Sequence, residues 1–119
     1  MTESSAVPKS HDGLVESLRY LTVARKSAVK ARTQAINQIR ALLVTAPDDI
    51  RSICYVPSTY RCIQACLSLV ETNTTIQTQT LLDILKLLAL RWQNLTDELR
   101  LIDKQLKKLT QMAAPNLLE

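Results

Sequence analysis

One glycine, one histidine, one tryptophan and no phenylalanine occur among 119 residues. With Gly13 alone, no glycine-rich loop can cradle a phosphate, and tight hairpin turns lose their usual residue. With His11 alone, Cys54, Cys62 and Cys66 lack a fourth zinc ligand, and a Cys/His nucleophile pair has no partner; buried thiols are expected, with no metal and no cofactor. No apolar run exceeds four residues, as in Leu87 to Leu90, far short of the roughly 20 that cross a bilayer, so no membrane association is expected. An odd number of cysteines behind a polar start, MTESS, points to a reduced, cytoplasmic setting.

Leu, Ala, Gln, Lys and Arg dominate instead, the composition of an all-α protein. Net charge is +4 with a pI of 9.2, a mild bias that permits an anionic partner without naming one.

Hydrophobic spacing predicts a long helix over 12–44, capped at its start by Asp12. Val15, Thr22, Val29, Ile36 and Leu43 form one heptad column and Leu14, Leu21, Ala28, Ala35 and Leu42 its neighbour, giving one apolar stripe. Residues 1–11, polar and carrying Pro8, read as a disordered leader. Pro47 beside Asp48 and Asp49 opens a short helix over 47–55, and Ser58 or Thr59 another over 58–70. The segment TNTTIQTQT reads as a polar loop running into a second long helix over 76–113. There Leu81, Leu85, Leu88, Trp92, Leu95, Leu99, Ile102, Leu106, Leu109 and Ala113 keep an unbroken four-three spacing. The fold expected is two long antiparallel helices with short connecting helices, a coiled-coil-like hairpin or bundle over 12–115, with a tail at 116–119.

Charge is unevenly placed. Between Leu14 and Val44 stand Arg19, Arg25, Lys26, Lys30, Arg32 and Arg40 against Glu16 alone. Such cations along a helix suit a phosphate backbone, so these six are the candidate nucleic-acid-binding residues; a merely solvated face is the plainer alternative. Arg25 and Arg32 lie beside the apolar stripe and must snorkel, pair with an acid or hold a ligand. On the second long helix, Asp83 with Lys86, Asp97 with Arg100, Arg100 with Asp103, and Asp103 with Lys107 stand at pairing distance, leaving no carboxylate pair for acid and base work. No catalytic residue and no small-molecule substrate is expected.

The stretch DGLVESLRYLTVARKSAVKARTQAINQIRALLVTAPDDIR, Asp12 to Arg51, resembles the central helical segment of bacterial insertion-sequence transposases of the one-hundred-and-ten family, the bridge-RNA-guided recombinases. LLALRWQNLTDELRLIDKQL followed by AAPNLL is similar to that family's second long helix and the lead into its C-terminal domain. The resemblance implies a middle piece of a transposase, a fragment that serves DNA transposition and recombination as a helical scaffold for protomer assembly and for contact with guide RNA or DNA. It also implies a homodimer. The acidic tetrad and the serine nucleophile of such enzymes have no matching position here, so no catalytic residue carries over. The rival readings are a helical dimerisation module without nucleic-acid binding and, from the likeness of LRLIDKQLKKL to the first helix of small chorismate mutases, a helical enzyme of that kind.

Overall fold

In a computed structural model the backbone is described for residues 6–70 and 75–113, with side chains from Gly13 onward. Among these residues there are only helices and connecting turns: α1 (Ala6–Val44), α2 (Asp48–Cys54), α3 (Thr59–Leu67) and α4 (Ile76–Ala113). The fold is all-α, with the long helices α1 and α4 packed along each other and the short pair between them in sequence.

The start of α1 departs from the sequence expectation. Residues 6–11 are helical, and Asp12 lies inside the helix, not at its cap. Pro8 is compatible with this because the first helical turn has no intrahelical use for an amide hydrogen. Residues 1–5 of the expected leader and the expected tail lie outside the described residues, as do 72–74 of the expected loop.

The turns between the long helices follow from local chemistry. Pro47, extended at φ −54° and ψ 150°, caps α2 instead of forming its first residue, and Asp48 and Asp49 occupy the positive first turn. Pro57 keeps Val56 out of the helical region and so separates α2 from α3. Ser58 opens α3 by accepting a hydrogen bond from the Arg61 amide at 3.3 Å. The helix stops at Leu67, short of Val70, and the Ser68 hydroxyl donates back to the Gln64 carbonyl.

The described residues divide into two compact units, one within 30–97 and one of residues 6–29 with 98–113. The first has a dense core: Ile39, Leu43, Ile63 and Leu85 are fully buried, with Ile36, Ala46, Ile50, Leu82, Leu88, Ala89 and the three cysteines around them. Burial of each large aliphatic side chain here stabilises the fold by about 1.5–3 kcal/mol.

The other unit buries Ala28 and Leu99, while Leu14, Leu18, Leu21, Ile102, Leu106 and Leu109 are half-buried. Val15 and Thr22, expected in the stripe, are exposed. A helix of 3.6 residues per turn drifts about 20° per heptad. Toward the C-terminal part of α1 the buried line therefore moves onto the Val15 column, whose later members Ile36 and Leu43 are buried.

Candidate nucleic-acid interface

Six cations of α1 were singled out by charge placement, and the structure sorts them by what they touch. Arg19 is exposed; its Nη2 donates to Glu16 Oε1 at 2.9 Å one turn back, and its guanidinium lies 5.1 Å from the Tyr20 ring centre. Arg25 Nε donates to Asp103 Oδ1 at 2.7 Å, a bond between α1 and α4 within one unit. That hydrogen bond, and then the carboxylate charge, hold Arg25 still more firmly protonated than an ordinary guanidinium. Asp103, expected to pair along its own helix, is thus taken by α1. Asp83 likewise accepts from Gln79 at 3.1 Å where Lys86 was expected.

Arg32 and Arg40 are half-buried and bound within the 30–97 unit. Arg32 Nη1 donates to Thr96 Oγ1 at 3.1 Å, and its guanidinium lies 5.3 Å from the Trp92 ring centre. Trp92 itself packs against the core, as its seam position implied. Arg40 reaches from α1 to the α2–α3 junction, where Nη1 donates to the Val56 carbonyl at 2.9 Å and Nη2 to the Pro57 carbonyl at 3.0 Å. A planar fork with two parallel donors suits two successive carbonyls. The Tyr55 ring lies 5.9 Å away.

Lys26 and Lys30 remain. Each is exposed, and neither has a hydrogen-bonding or ionic partner among the described residues. Within the 30–97 unit, Lys30 sits in a shallow open recess along α1 lined with Thr33, Gln34, Asn37, Gln38 and Ala41. One cation beside a hydroxyl and three amides offers both charge and neutral donors to a phosphodiester. Charge placement pointed to Lys30; the uncharged Gln34 and Gln38 beside it carried no signal of that kind. In the same unit Arg61 and Arg91 are exposed cations outside α1, and in the other Lys104, Lys107 and Lys108 are exposed on α4.

Among the described residues the cysteines form the one cluster of ionisable groups inside the fold. Cys54, Cys62 and Cys66 are fully buried and reduced. Cys66 stands within hydrogen-bonding reach of both others; its bond with Cys62 and its burial push its thiol well up. Burial likewise raises Cys54. Cys62 is brought down to about 7 by the hydrogen bond with Cys66 and, against burial, by the nearby Arg40 charge. Among the described residues no group of His, Cys, Asp or Glu is arranged to hold a metal ion. No described helix is long and apolar enough to cross a membrane.

No family model matches the chain, and no curated protein or solved structure matches it either.

Proposed function

We propose that this chain is a helical scaffold segment of an insertion-sequence transposase of the one-hundred-and-ten family, which contacts nucleic acid through exposed cations of α1 and carries no catalytic set of its own. Its partners in this reading are guide RNA or DNA and a second copy of the chain, in the cytoplasm. The observation that carries the nucleic-acid contact is Lys30, unpaired and exposed in a recess of amides and a hydroxyl. Lys26, also unpaired, supports it. The four arginines are engaged within the chain, which favours the second reading, a dimerisation module that leaves nucleic acid alone.

Fluorescence anisotropy with a structured RNA and a DNA duplex at two salt concentrations separates the two. Affinity should fall as salt rises, because each neutralised phosphate releases counterions. Lys30→Glu should weaken binding to both polymers, while Arg19→Ala should change it little. No binding at low salt would leave the dimerisation module standing.

A further inference from the structure

The seam of α4, with Leu82 and Ala89 beside it, accounts for its buried residues, but a different face of the same helix leaves an apolar strip in solvent. Ile84, Leu87 and Leu90 are 39, 55 and 47 % exposed. They are spaced by three, so they form one patch centred on Leu87. Around it stand exposed Asp83 and Arg91, and beyond them exposed Thr80 and Asn94.

This arrangement is symmetric about Leu87. When two copies of a helix pair antiparallel about a two-fold axis at Leu87, each residue lies level with the one equally far from Leu87 on the other side. Ile84 then stands level with the partner's Leu90, Asp83 with the partner's Arg91, and Thr80 with the partner's Asn94. Apolar meets apolar, acid meets base, and a hydroxyl meets an amide, twice over by symmetry. Parallel pairing would set Asp83 against Asp83 and Arg91 against Arg91, which like-charge repulsion disfavours.

We propose that α4 binds α4 of a second copy through this face, antiparallel, with Leu87 on the two-fold axis. The proposal rests on the reading above only in taking a second copy as the partner; it does not depend on nucleic acid. Three half-exposed aliphatic side chains and two ion pairs make a small contact beside the roughly 800 Å² per partner of a standard interface, so association is weak and rises with protein concentration. Asp83 is available to the partner, since its bond within the chain is to a neutral amide.

Sedimentation equilibrium over a concentration series, with circular dichroism to verify helicity, tests this on the full chain. Leu87→Glu should weaken association about tenfold or more, because it places two carboxylates on the axis. Asp83→Arg should weaken it as well, and adding Arg91→Asp should restore it. Cross-linking fixes the direction: under a thiol oxidant Leu87→Cys should form a covalent dimer, whereas Asn94→Cys, level with Thr80, should not. Efficient cross-linking at both positions would mean parallel pairing and would overturn the proposal. A dimer indifferent to Leu87→Glu and to the charge swap would overturn this surface while leaving self-association by another. A monomer at every concentration would overturn both, and the anisotropy titrations would still decide the nucleic-acid reading.

Discussion

Arg40 shows how one side chain can answer a structural need that its charge conceals. By charge placement it belongs with Arg19 and Lys26 as a candidate phosphate ligand. In the fold its guanidinium satisfies the Val56 and Pro57 carbonyls, which follow the last turn of α2 and have no helix to serve them. Arg40→Ala should cost about 1–3 kcal/mol in urea unfolding, the penalty for leaving such acceptors without a donor. Arg40→Lys should recover only part of this, since an ammonium lacks the fork. Gly13 offers the opposite case: it is exposed within α1, and a Cβ there would meet nothing within 4 Å. Gly13→Ala should add about 0.5–1 kcal/mol by helix propensity, measurable in the same unfolding curves. The cysteines define a third test. Cys54 and Cys66 resist ionisation when folded, so the unfolded chain holds fewer protons than the folded one above the ordinary thiol value of 9.0. Stability should therefore fall as pH rises through that value, and Cys66→Ala should flatten the fall. Cys62, held near 7, works the other way between 7 and 9, where its folded form releases a proton first and stability rises with pH.

At the scale of the element, the two long helices were plain in the sequence and their edges were not. The spacing from Leu81 to Leu109 is carried by leucines strong enough to fix a period, and each of those seam residues is buried or half-buried. The residues from Ala6 to His11 have no such period, and Pro8 argued against helix there. What decides such a segment is backbone bonding to the turn that follows, which leaves no hydrophobic trace. Periodicity also assumed a fixed seven-residue repeat, which is why Val15 and Thr22 were placed inside. The fate of Arg25 and Arg32 could be narrowed to a few outcomes but not chosen, because Asp103 and Thr96 lie more than sixty residues away in the chain. Among the six candidates, charge identified the helix, and only three-dimensional neighbours distinguished Lys26 and Lys30 from the rest. The basis for Arg40 was similarly hidden, since nothing local links α1 to the carbonyls after α2.

For the molecule as a whole, burial is concentrated in one unit. Every residue of the buried cluster lies between 36 and 89, whereas among the described residues the other unit contributes only Ala28 and Leu99 to the fully packed interior. Amide exchange should follow this division, with the slowest amides in residues 35–43 and 82–89 and faster exchange over 14–27 and 100–112. Leu85→Ala, at the centre of the dense unit, should lose about 2–5 kcal/mol in a denaturant melt. Leu106→Ala, half-exposed in the other, should lose distinctly less.

Only one indole exists in the chain, and it sits against the Arg32 guanidinium beside the packed interior of the 30–97 unit. Trp92 is therefore a built-in optical gauge for that unit. A polyanion that drew Arg32 off the ring would register as an emission change without any added dye, while one that settled on Lys30 alone would leave the spectrum where it was.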